Sequence, residues 1–250
     1  MYATIKNIKA NAREKLLSHM GTAVFFTITH LLVTNLFSFC ITCAPIGKGF
    51  WGLVLYIITS LFTDLFFGIL QAGVAAFYLN LSTDRTPCTV SDLWYGFTHN
   101  PDKALKISLT LSLIHLICTS PYIVYTLFIM PDYTFEALFA MDTVAINSLG
   151  IAYSLLGIGS MLNFLITLMF APVYFMLVDM PNLTASKAMK MSIWLMKGSK
   201  FRLLRLELSF LPLQFVSLLT FGIGNLWVTP YIQTAATEFY LDLSDKRINQ

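Results

Sequence analysis

The chain has 250 residues, 56% hydrophobic and 12% charged, with a mean hydropathy of +0.70. Soluble domains carry roughly 25% charged residues. Half that density cannot coat a water-facing surface, which argues against a soluble enzyme or a nucleic-acid binder and excludes disorder. The net charge is only +3, so it is informative through its placement.

Residues 4–18 open the chain with Ile5, Ile8, Ala12 and Leu16 at helical spacing and Lys6, Lys9, Arg13 and Lys15 between them. This predicts an amphipathic helix in the headgroup layer. The apolar stretch that follows, about 21–44, is far longer than the ~7–15 residues of a signal-peptide core. It reads as an uncleaved first span. Four cysteines make no disulfide framework. Cys40 and Cys43 form a C-x-x-C with no second pair or nearby His, which reads as small apolar residues at a helix end.

A membrane-crossing helix needs about 20 mostly apolar residues. Five apolar blocks meet that length, and the last, 203–243, is too long for one crossing. The TFGIGN stretch at 220–225 is a turn signal that splits it. The expected spans are 20–44, 50–81, 105–130, 143–178, 203–221 and 225–242: an all-α polytopic bundle of six transmembrane helices in one membrane domain. With the N-terminus inside, every one of the 16 basic residues except Lys48 falls on the inner side. The loop 131–142 carries Asp132, Glu136 and Asp142 and no Lys or Arg. The positive-inside bias then places both termini in the cytoplasm.

Two inner segments read as further interfacial helices, one over 89–97 and one over 184–200. On the second, Lys187, Lys190 and Lys197 share an arc opposite Ala188, Met191, Leu195 and Met196, with Trp194 at the border. That pattern suits anionic lipid headgroups, which attract a surface cation by about 1 kcal/mol each. Helix-four residues Gly150, Gly157 and Gly159, with Ser154 and Ser160, give a small-residue face for close packing.

The chain also repeats itself. QAGVAAFYLNL at 71–81 and QTAATEFYLDL at 233–243 share five of eleven positions at an offset of 162. Aromatic belts at membrane surfaces account for part of this likeness. The stretches DMPNLT at 179–184, SIWLMKG at 192–198, LSF at 208–210 and TFGIGNLWVTPY at 220–231, with VSDLWYGF at 90–97, resemble the bacterial membrane family catalogued as domain of unknown function 975. The resemblance covers nearly the whole chain and departs from the family pattern at LPL, 211–213, where Pro212 is expected to kink helix five. It implies a polytopic protein of the bacterial inner membrane and carries no established activity.

Polar groups inside hydrocarbon cost roughly 2.5–3.5 kcal/mol or more and mark functional candidates. Counted at about 1.5 Å per residue, Asp64, His30, His115 and Gln214 all fall near mid-bilayer, and Glu238 lies in helix six. An Asp between two His at one depth suits a proton relay or cation site. No nucleotide loop, nucleophile elbow or zinc motif is present, and no cofactor is implied. The first expectation is a non-enzymatic envelope or export accessory that contacts lipid and other membrane proteins. The alternative is a small proton-coupled transporter or permease built on the midplane polar set.

Overall fold

The computed structural model describes residues 3–42, 49–84, 86–99, 101–130 and 143–247, and these are all helix and turn. Cys43, Lys48, Arg85 and the acidic loop 131–142 lie outside the described residues. The helices are α1 (Ile5–Ser18), α2 (Met20–Thr42), α3 (Gly49–Thr83), α4 (Tyr95–Thr98), α5 (Pro101–Val124), α6 (Thr143–Thr167), α7 (Val173–Asp179), α8 (Ala185–Met196), α9 (Lys200–Leu208), α10 (Leu211–Leu219) and α11 (Asn225–Arg247). A 3₁₀ turn, Val90–Trp94, leads into α4, a π turn extends α5 to Ile129, and a 3₁₀ turn joins α6 to α7.

Four helical stretches are long and apolar enough to cross a membrane: Met20–Ile41, Gly49–Thr83, Pro101–Ile129 and Thr143–Asp179. They match the first four expected spans. The fifth expected span is broken: α9 ends at Leu208 and α10 begins at Leu211. Pro212 stands in the first turn of α10, where its missing N–H costs nothing. It therefore opens a new helix rather than kinking a continuous one. The turn expected at 220–225 lies between α10 and α11, with Phe221 and Gly222 both at positive φ.

Packing concentrates at one end of the bundle, where the basic segments meet. Residues 68–82 of α3 run through it almost wholly buried and contribute to all three core clusters. Ile8 and Ala12 of α1 bury against α11, and Leu16 against α2 and α3. In α8, Ala185, Ala188, Leu195 and Met196 are buried in the same way. Both amphipathic helices thus turn their apolar faces into the protein, because the bundle offers an apolar groove that the headgroup layer does not.

The two halves of the repeat supply matching core strips. Phe77, Tyr78, Phe239 and Tyr240 are all buried, so they form the protein interior and not an aromatic belt. Tyr78 Oη pairs with Thr27 Oγ1 at 3.3 Å, and Tyr240 Oη donates to Asp179 Oδ2 at 3.0 Å. Phe77 stacks on Phe26 with centroids 3.9 Å apart.

Charge closes this end. Lys15 Nζ lies 2.7 Å from Asp84 Oδ2. The shared hydrogen bond raises the Lys15 pKa and holds that of Asp84 below the usual carboxylate range. Asp242 accepts Arg202 at 2.5 Å, Lys246, and the Ala3 backbone N–H at 3.1 Å, which ties α1, α9 and α11 together. Lys9 Nζ donates to the Ser209 carbonyl at 3.0 Å, at the break between α9 and α10.

Close backbone approach needs glycine at a few contacts. A Cβ on Gly73 would stand 2.6 Å from the Leu93 carbonyl carbon, and one on Gly159 would press on the Cys118 carbonyl. Around Gly150 and Gly157 there is open space, so only Gly159 of the small-residue face seats a neighbour. Gly73→Val should therefore destabilise the detergent-solubilised protein by about 1–3 kcal/mol, the usual cost of overpacking, with a lower melting temperature. Gly150→Ala should leave the melting temperature unchanged or raise it slightly.

Candidate functional site

The far edge of the α3 core holds a cavity lined by polar side chains. Its volume is about 330 Å³. Asp64 and Gly68 of α3, Ser112 and His115 of α5, Asn163 of α6 and Tyr174 of α7 line it. The small face of Gly68 shapes one wall, since a Cβ there would overlap the Ser108 side chain and stand 3.0 Å from Tyr174 Oη.

Ser112 Oγ donates to Asp64 Oδ2 at 2.9 Å, and His115 Nδ1 lies 3.1 Å from the same oxygen. Ser112 and His115 are three residues apart on α5 and so share one helical face. That face is turned to α3, which places both donors on one carboxylate. Asp64 remains 27% and His115 37% exposed, so the pair is reachable from the cavity rather than sealed in packing. Ser108 Oγ and Tyr174 Oη pair at 3.2 Å across the cavity floor. Asn163 Oδ1 is buried and has no hydrogen-bond partner among the described residues. An unpaired buried amide oxygen costs about 1–3 kcal/mol, which a donor entering the cavity would recover.

The arrangement is not that of an activated nucleophile. In a Ser-His-acid triad the serine proton goes to the imidazole. Here the Ser112 proton goes to the carboxylate, and His115 reaches that same oxygen. What remains is a carboxylate fixed by two side chains on one oxygen, inside an open polar cavity. Such a group can bind a cation or exchange a proton.

The other expected site residues go elsewhere. His30 lines a separate void of about 20 Å³ with Thr27, Tyr78, Thr229 and Gln233. Asp64 and His30 share a depth only if α3 is as long as a membrane is thick. At 35 residues it runs about 52 Å, so a count from its far end and a count from the near end of α2 do not meet. Gln214 is exposed on α10 beside Asn225 and Thr229. Glu238 is half-buried on α11, within electrostatic reach of Lys15. Lys187, Lys190 and Trp194 are exposed on α8, and Lys197 is exposed just past its end. Asn163 and Tyr174 line the site from positions that the sequence does not single out. Single polar residues in apolar helices carry no sign of which way they face.

Leu111 lines the cavity, and Leu113, two residues on, is exposed on the outside of α5. Thiols react as thiolates, which need water. In a reconstituted protein without native cysteines, Leu111→Cys should react with a charged, membrane-impermeant methanethiosulfonate at least tenfold faster than Leu113→Cys. Equal rates would show that the cavity is dry.

A protein-family model described as "Protein of unknown function (DUF975)" matches residues 1–247. No curated protein and no solved structure matches the chain.

Proposed function

The chain belongs to the DUF975 family, and from that premise we propose that it is a non-enzymatic, multi-pass protein of the bacterial inner membrane that moves a proton or a small cationic solute through the Asp64 cavity. The observation that carries this reading is the shared Asp64 oxygen, bonded by Ser112 and His115, facing a polar cavity of about 330 Å³. An intramembrane carboxylate is costly, and packing alone could be served by the serine and tyrosine pairs already present. The cavity falls within the range of small-solute sites, ~300–1,000 Å³.

The topology that goes with this function has six spans and both termini cytoplasmic. The ends of α3, α7 and α11 and the starts of α2, α5 and α9 all belong to the basic end of the bundle, which suits the positive-inside bias. In this reading the fifth crossing is made by α9 and α10, 200–219, as two segments on either side of the break at 209–210. Helix α11 returns as the sixth.

Asp64→Asn keeps the shape and the hydrogen bond from Ser112 but loses the charge. Proteoliposomes carrying it should lose at least tenfold in proton-coupled uptake, read with an internal pH dye against a panel of small organic cations. His30→Gln and Gln214→Ala, outside the cavity, should stay within twofold of the parent. Uptake unchanged by Asp64→Asn would remove the cavity from the mechanism.

A second reading, an envelope or export accessory held to anionic lipid, is favoured by one observation. The basic face of α8 is exposed while its apolar face is occupied by the protein. Charge reversal at Lys187, Lys190 and Lys197 should reduce the anionic lipid that co-purifies with the full chain, by about 1 kcal/mol of attraction per residue. Unchanged lipid content would discard it.

A further inference from the structure

A second large groove lies at the basic end, away from the Asp64 cavity. Its volume is about 400 Å³. Leu17 of α1, Met20 of α2, Leu213 of α10 and Trp227 and Tyr231 of α11 line it, and Arg13 of α1 is its one ionisable cation. The groove exists because α1 packs on α11, with Tyr231 Oη donating to the Lys9 carbonyl at 3.3 Å, while α10 diverges after the break at 209–210.

Several basic side chains at this end are engaged by the protein. Lys15 pairs with Asp84, and Arg202 and Lys246 pair with Asp242. Lys9 donates to the Ser209 carbonyl, and Arg247 to the carbonyls of Trp194 and Lys197. Arg13, like Lys6 and Arg205, is exposed and has no hydrogen-bond or ion-pair partner among the described residues, and of these three it is the one that lines the groove. It is also placed at the entry of an apolar span, seven residues before Met20, where α2 begins. A membrane-crossing helix meets the headgroup layer at that level. An unpaired guanidinium above an apolar groove matches one ligand on both counts. Its planar fork suits a phosphodiester, and the leucine, methionine and tryptophan surface below suits a hydrocarbon chain.

We propose that this groove is a selective site for an anionic phospholipid, with the phosphate on Arg13 and one acyl chain between α2, α10 and α11. The site rests on the membrane assignment of α2 and is independent of the Asp64 cavity. A basic residue near the membrane surface attracts anionic lipid by about 1 kcal/mol, which corresponds to roughly fivefold selectivity.

Trp227 lines the groove, so it can report the occupant directly. The chain has four tryptophans. With Trp51, Trp94 and Trp194 changed to Phe, the full-length protein is reconstituted in phosphatidylcholine vesicles. A minor, equal fraction of brominated phosphatidylglycerol or brominated phosphatidylcholine is then added. Trp227 should be quenched by the anionic lipid at about fivefold lower mole fraction than by the zwitterionic one. Arg13→Gln should bring the two lipids level, while Arg13→Lys and the pair Lys187→Gln, Lys190→Gln should keep the preference. Equal quenching by both lipids in the parent would overturn the proposal. So would a preference that survives Arg13→Gln, or one that Lys187→Gln, Lys190→Gln abolishes, because the attraction would then belong to the whole basic surface.

Discussion

The fold depends on residues 68–82 of α3. Helices α1, α2, α4, α5, α7 and α11 all contact α3, and the buried strip supplies residues to each core cluster. In a bilayer the hydrophobic effect does not hold helices to one another, because lipid tails are as apolar as leucine. Dispersion and hydrogen bonds must do so, and both require close approach. Gly68, Gly73 and Gly96 provide it, each with another chain segment standing where a Cβ would project. The 3₁₀ turn and α4 are drawn onto α3 through Gly73 and Gly96, and Leu93 is buried as a result.

The same strip decides where a cavity can form. Up to Gly68 the side chains interlock. Beyond it, residues such as Phe62, Ile117 and Met161 are exposed, and the helices pack less closely. Asp64 stands one helical turn past the end of the packed strip. A carboxylate there has room around it and donors within reach on α5. The candidate site and the core are therefore not separate features, since the end of the core creates the space and Ser112 and His115 anchor the charge within it.

The basic end follows a related economy of charge. Asp242 gathers Arg202, Lys246 and the Ala3 N–H, and Asp84 takes Lys15. These pairs fasten α1 to the bundle at both ends of its length. The helix could otherwise have floated in the headgroup layer, as its sequence allows. Helix α8 behaves alike: its buried face meets the protein and its lysines face outward. Amphipathicity states that a helix has one apolar face and leaves open what that face will meet.

Several features were legible in the residues because their causes are local. Apolar runs of sufficient length mark the first four spans. The GIG sequence at 222–224 marks the turn after α10, and the spacing of Ile8, Ala12 and Leu16 marks the buried face of α1. The pairing of Asp64 with His115 was half legible, since an acid and a histidine deep in apolar helices call for partners. The tertiary structure alone decided which partners. It joined Asp64 to Ser112 and His115 and sent His30 to Tyr78 and Gln233, because helix length, tilt and rotation set facing, and none of these is local. It also brought Asn163 and Tyr174 into the cavity and left Arg13 unpaired above an apolar groove. Scarcity of charge in the chain determined that the protein belongs with membranes. The mutual rotation of α3 and α5 decided where its rare charges meet.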